Sequence, residues 1–276
     1  MATGRADAGE MGTLHHRRAM NTVLHTLLAP ARTLLAVLHT ASCSALGIVG
    51  MAVFRQSGDW VMWRVGRRLW SIPLMRHVVG TEVHVAVHPD TLALARQKRG
   101  IVLVGNHQSL LDINAAFVAC PTPIVFLSKA SIRKVPLLGK INEMAGTVFV
   151  ERGNRNSSEQ AVKQLVHTLS LGRSVLVFPE GTRSATGDLQ PFKKGAFHLA
   201  LQAQAPMVPM WISGTHALLP PSAWLLRRAT TSVTVKLGAP RFCEDGETAT
   251  SLRDWGHQAV SDLSRNAVSS PSRMAR

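Results

Sequence analysis

Ile101-Val102-Leu103-Val104-Gly105-Asn106-His107-Gln108-Ser109-Leu110-Leu111-Asp112 is an apolar run that ends on a histidine, with an aspartate five residues further on. Four successive apolar residues read as a strand covered on both faces, and the residues from Leu110 read as the helix that follows it. A base and an orienting carboxylate therefore stand where a strand gives way to a helix. About seventy residues later a second apolar run, Val175-Leu176-Val177-Phe178, delivers Pro179-Glu180-Gly181-Thr182-Arg183 to what should be the same edge of a sheet.

The alternation continues on both sides of these two runs. Short β-branched stretches predict strands at 82–87, 101–104, 124–127, 147–150, 175–178, 208–212 and 232–237. Helical periodicity between them predicts helices at 110–119, 135–144, 157–171, 195–203 and 250–268. For the third helix, Asn156 and Glu159 are spaced as a capping pair and Gly172 is placed to stop it. The fold class is α/β, with a largely parallel central sheet flanked by helices. Sites in such sheets lie at the carboxyl ends of the strands, where both motifs fall.

The 276 residues, 46% of them hydrophobic, suffice for one large domain with an appendage. The organisation expected is a disordered tail at 1–13, a membrane-associated helical segment at 14–80 and the α/β domain at 81–276. Thirty-one Lys and Arg against sixteen Asp and Glu give a formal charge of +15, which favours an anionic partner. No zinc-finger, recognition-helix or RNA-binding signature accompanies that charge, so nucleic acid is not the expected partner. Cys43, Cys120 and Cys243 are isolated and odd in number, which excludes a disulfide framework and a paired-cysteine zinc site and suits a reducing compartment.

Between Arg32 and Arg55 no side chain carries a formal charge. At about 1.5 Å per residue this run just spans a hydrocarbon core of about 30 Å. Three readings are open: a cleaved signal peptide, a buried core helix in which His39 needs a partner, and a helix embedded in or dipping into a membrane. The third is favoured because Trp60-Val61-Met62-Trp63-Arg64-Val65-Gly66-Arg67-Arg68-Leu69-Trp70 interleaves Trp with Arg as an interfacial helix does. A single span and a monotopic hairpin are not separated. Pro220-Pro221 and the residues through Trp224, Arg227 and Arg228 read as a surface excursion, a candidate second membrane contact.

His107 is the side chain of its loop that accepts and returns a proton near neutral pH, and Asp112 can fix its tautomer. Such a dyad needs an external nucleophile, because the chain has no Gly-x-Ser-x-Gly elbow to make Ser109 one. The plainer readings are a histidine and an aspartate at a helix start, an ion pair between Glu180 and Arg183, a solvated strand end at Arg152, a solvated helix start at Lys193-Lys194, and a terminating Pro209.

The context decides between them, because the first motif resembles the Asn-His-x4-Asp motif of the glycerolipid acyltransferases, the family of 1-acylglycerol-3-phosphate acyltransferases. Four ordered blocks between about 100 and 213 carry the resemblance: Asn106 to Asp112, Gly146-Thr147-Val148-Phe149-Val150-Glu151-Arg152, Phe178-Pro179-Glu180-Gly181-Thr182-Arg183-Ser184, and Val208-Pro209-Met210. The resemblance implies that His107 deprotonates the hydroxyl of a lysophospholipid, which attacks the thioester of acyl-CoA or an acyl-carrier protein, while Asp112 orients the histidine. It further implies that Glu180 and Gly181, with Thr182 beside them, hold the glycerol part of the acceptor, and that Arg152 and Arg183 meet its phosphate. Lys129 matches a family basic position, although Ser131-Ile132 replace the Glu-Leu pair often found after it.

On this resemblance the expected product is phosphatidic acid in phospholipid biosynthesis. No metal or redox cofactor is expected, the acyl donor being a substrate. The expected location is the cytoplasmic membrane, with the catalytic domain on the cytoplasmic side and membrane lipids as partners. The alternative within the family is acylation of another lysolipid, such as lyso-ornithine lipid. The alternative of a different class is a non-catalytic basic membrane-binding protein, for which His107 and Asp112 would be dispensable.

Overall fold

A computed structural model describes residues 27–151, 153–229 and 232–266. The tail expected at 1–13 lies outside them. All seven expected strands form: β1 (Val83–Val87), β2 (Val102–Gly105), β3 (Ile124–Lys129), β4 (Val148–Val150), β5 (Ser174–Val177), β6 (Met207–Ser213) and β7 (Val233–Leu237). They make one sheet in the order β1-β7-β6-β2-β5-β3-β4. β6 and β7 run antiparallel, and every other neighbouring pair is parallel. β2 and β5 lie side by side in the middle, buried at every position, which is the physical reason both read as unbroken apolar runs.

Pro209 does not terminate an element. It sits inside β6, opposite Val104, and its carbonyl accepts from Gly238 N at 2.9 Å. The missing N–H of Pro209 falls on that same side, where β7 has already ended, so the ladder loses nothing there.

Helices cover the sheet: α1 (Ala29–Ala52), α2 (Gly58–Trp60), α3 (Pro89–Arg96), α4 (Asp112–Ala119), α5 (Leu138–Met144), α6 (Arg155–Ser170), α7 (Gly195–Ala203), α8 (Thr215–Leu218) and α9 (Ala249–Arg265). The start of α6 corrects the sequence reading. Its cap is Asn154, whose Oδ1 accepts from Ser157 N at 3.1 Å, and not Asn156. Gly172, at φ 77°, does end it. α3 went unforeseen, although His88 accepts from Asp90 N and Pro89 takes the first helical position.

α2 runs on into two π-helical stretches, Val61–Ser71 and Leu74–Val79. The Trp and Arg segment is therefore no free interfacial helix. Val61, Met62 and Val65 enter the core, and Arg67 donates to Cys120 O at 3.0 Å. Burial holds the Arg67 guanidinium below its usual pKa and pushes the Cys120 thiol up to about 12, so that cysteine behaves as a packed apolar side chain.

α1 lies along this layer. Gly47 lets it approach α5 so closely that a Cβ there would sit 2.7 Å from Ile141 Cδ1. His39 finds the partner it needed in the Trp70 carbonyl at 3.2 Å, and Trp70 Nε1 donates to Thr40 Oγ1 at 2.9 Å. The opposite flank of α1 and its two ends expose Leu27, Leu28, Leu34, Leu35, Val37, Leu38, Leu46, Val49, Val53 and Phe54. One face is core and the other is an uncovered apolar stripe.

Candidate active site

The parallel run β6-β2-β5-β3-β4 brings five carboxyl ends to one edge, and the loops after them carry the expected residues. After β2 the chain is pinned to β6: Asn106 Nδ2 donates to Ile212 O at 2.8 Å, and Ile212 N donates back to Asn106 Oδ1 at 2.7 Å. This clamp sets the direction of the next residue, His107.

Asp112 opens α4 and is fully buried. Its Oδ2 lies 2.8 Å from His107 Nδ1 and accepts from the backbone N–H groups of Gln108 at 2.6 Å and Ser109 at 2.9 Å. Its Oδ1 accepts from Thr215 Oγ1 at 2.5 Å. Four donors thus hold one carboxylate, which fixes the imidazole with its proton on Nδ1 and leaves Nε2 as the basic nitrogen. No hydrogen bond among the described residues engages Nε2. The Phe178 ring stacks on the imidazole, with centroids 4.1 Å apart and planes at 9°, so the histidine cannot swing away.

Glu180 follows β5 on the adjacent strand, and its side chain is also buried. Gln190 N donates to its Oε1 at 3.3 Å, and the nearby backbone N–H of His107 also favours its charged form. Oε2 is sealed from solvent without a partner among the described residues. Burial dominates: it pushes the Glu180 carboxyl up to about 7, the two backbone donors opposing and the nearby Asp112 charge reinforcing the shift. An ion pair of Glu180 with Arg183 is therefore not what this turn is built for. Ser184 N donates to His107 O at 2.7 Å, tying the two loops together.

Gly181 adopts φ 76°, and a Cβ there would lie 2.8 Å from Lys193 Nζ. Lys193, read from sequence as a solvated helix start, packs its stem over the Glu180-Gly181 turn. Thr182 is exposed and Arg183 half-buried beside it. Lys129 ends β3, exposed, one strand beyond β5. Arg152 lies outside the described residues.

Two partners in this arrangement were not read from the sequence. Thr215 is 103 residues from Asp112, and only the β6 register brings it there; Phe178 is read from sequence as a strand end and the first residue of the third block, without a role against His107. The assembled edge offers a base held by a carboxylate, a second carboxyl poised near neutrality and cationic side chains around the Glu180 turn. It can accept a proton from a bound hydroxyl and receive an anion beside it.

The Acyltransferase family model matches residues 84–213, which include all four blocks. The 1-acyl-sn-glycerol-3-phosphate acyltransferase of Saccharomyces cerevisiae is 32% identical over 242 residues, covering 84% of this chain and 78% of that protein. The enzyme of the same name from Cocos nucifera is 36% identical over 150 residues, 53% of this chain and 47% of its own length. Among solved structures, the 1-acyl-sn-glycerophosphate (LPA) acyltransferase PlsC of Thermotoga maritima superposes with a TM-score of 0.70 at 23% identity, covering 89% of this chain and 100% of that one. The last likeness establishes the fold.

Proposed function

The chain belongs to the 1-acyl-sn-glycerol-3-phosphate acyltransferase family, and from that membership we propose that it transfers a fatty acyl group from acyl-CoA or acyl-carrier protein to the sn-2 hydroxyl of 1-acyl-sn-glycerol 3-phosphate. The observation that carries this reading is the His107 Nδ1 to Asp112 Oδ2 contact of 2.8 Å, with Nε2 in no hydrogen bond among the described residues.

His107 Nε2 takes the proton of the acceptor hydroxyl as its oxygen attacks the thioester carbonyl. Asp112 stabilises the imidazolium that forms. When the tetrahedral intermediate collapses, the carbon–sulfur bond breaks and the imidazolium returns its proton to the thiolate. Atoms and charge balance without metal or redox chemistry, so none is assigned. Holding hydroxyl and thioester together at one edge lowers the barrier by proximity.

In this reading the Glu180 carboxyl, raised to about 7, donates as the protonated acid from its orphaned Oε2 to an ester or phosphate oxygen of the acceptor, which supplies the partner missing among the described residues. Gly181 and Thr182 shape the same turn. Arg183 receives the phosphate, with Lys129 further along the edge and Arg152 assigned by its block alone. The product is phosphatidic acid, an intermediate of phospholipid biosynthesis.

The substrate is a lipid, and the apolar helix α1 suits a membrane-associated enzyme. Because α1 packs on the domain along one face while the other stays apolar and exposed, we read it as lying in the membrane surface beside the domain, which faces the cytoplasm. The test is transfer from labelled acyl-CoA to lysophosphatidic acid and to a panel of other lysolipids. Labelled phosphatidic acid is expected. Labelling of another lysolipid alone would overturn the acceptor while leaving the dyad in place.

A further inference from the structure

The loop from Pro220 to Arg228 has no role in the proposed reaction, yet it is rooted in the site. Arg227 N donates to Leu218 O at 2.9 Å, and Leu219 O accepts from Ser109 Oγ at 2.8 Å; both carbonyls adjoin α8, whose Thr215 holds Asp112. At its far side Leu226, almost fully buried, donates its N–H to Thr33 Oγ1 of α1 at 2.9 Å, across 193 residues of sequence. Between these anchors Trp224 is 88% exposed and Leu225 44%, with Arg227 and Arg228 exposed next to them.

A tryptophan this exposed gains nothing from the fold itself. Its loop is fixed to the stretch of α1 where Leu34 and Leu35 follow Thr33 on the uncovered apolar flank. The indole thereby stands two residues along the chain from a tether to the helix whose other flank is apolar and exposed, and the adjacent Arg227 guanidinium is complementary to anionic headgroups, as is the +15 charge of the chain.

We propose that the 220–228 loop is a second membrane contact, which seats Trp224 at the headgroup level of an anionic phospholipid bilayer and so fixes the His107–Asp112 edge at the lipid surface. The proposal rests on reading α1 as a membrane element and extends it to a segment that belongs to the catalytic domain.

The test uses the full chain on vesicles of phosphatidylcholine and phosphatidylglycerol with acyl chains brominated near the headgroup, comparing wild type with Trp224→Phe. Trp224 is one of six tryptophans, so its emission is the difference between the two proteins. The expected result is that both proteins sediment with vesicles, and that the difference emission is shifted to the blue and mostly quenched by the brominated lipid. Arg227→Gln should weaken partitioning roughly fivefold on anionic vesicles and leave it unchanged on neutral ones.

If both proteins sediment but the difference emission stays red-shifted and is quenched by iodide instead, the loop proposal falls while α1 stands. Emission protected from lipid and iodide alike would assign the loop to a protein partner and overturn the proposal. Failure of wild type to sediment at all would overturn both. None of these readouts depends on the acyl acceptor.

Discussion

Asp112, at the start of α4, and Glu180, on the loop after β5, are both buried carboxyl groups behind adjacent central strands, and the protein treats them in opposite ways. Asp112 receives four donors, from His107, two backbone N–H groups and Thr215. Glu180 accepts from Gln190 N on Oε1 and, among the described residues, from nothing on Oε2, and burial pushes it to about 7. A charge that must serve an imidazolium is thus fully solvated by the protein, whereas a group meant to receive a ligand is left incomplete.

The largest effect expected from disturbing this contrast is at Asp112. Asp112→Asn presents an amide to N–H groups that need an acceptor and disturbs the histidine tautomer, so kcat should fall by about 10^3 to 10^4. Removing the buried charge also costs stability of about 3 kcal/mol or more, read from denaturant midpoints.

Glu180 should reveal itself in stability against pH. Its folded-state pKa is raised, so its contribution is fully present below about pH 4.5 and is lost as pH rises through about 7. Wild type measured against Glu180→Gln should therefore lose on the order of 3 kcal/mol across that window. A flat difference would mean that Oε2 is not isolated.

Thr215→Val should lower kcat by about tenfold and leave acceptor KM unchanged, because one of the four donors on Asp112 is lost. Thr215→Ser should restore the rate, which a purely steric role would not require. The smallest effect sets the scale for a hydrogen bond away from this edge: Asn154→Ala removes the α6 cap and should cost about 1 kcal/mol of stability with kcat unaltered.

Much of this was legible in the sequence. β2 and β5 announced themselves because strands buried on both faces cannot hide their hydrophobicity, and a strand followed by Asn106-His107 could end only at the carboxyl edge. Strand order was not legible: nothing local tells β6 to lie beside β2 or to run antiparallel to β7, and with that order hidden, Thr215 remained 103 residues from its carboxylate. Asn154 lost out to Asn156 because both precede the same periodic run and only backbone geometry separates them. The docking of α1 was equally hidden, since a helix with one face on protein and the other uncovered can be apolar all round. The poise of Glu180 depends on how deeply the folded loops bury it, a property no local stretch of sequence displays.

The measurement that bears most directly on the division of labour is the steady-state acylation of lysophosphatidic acid by wild type, His107→Ala and Glu180→Gln on the same vesicles. His107→Ala is expected to lose at least about 10^3 in kcat, while Glu180→Gln changes mainly the KM for the acceptor. A His107→Ala enzyme with undiminished kcat, or a Glu180→Gln enzyme disabled in kcat as deeply as His107→Ala, would contradict that division.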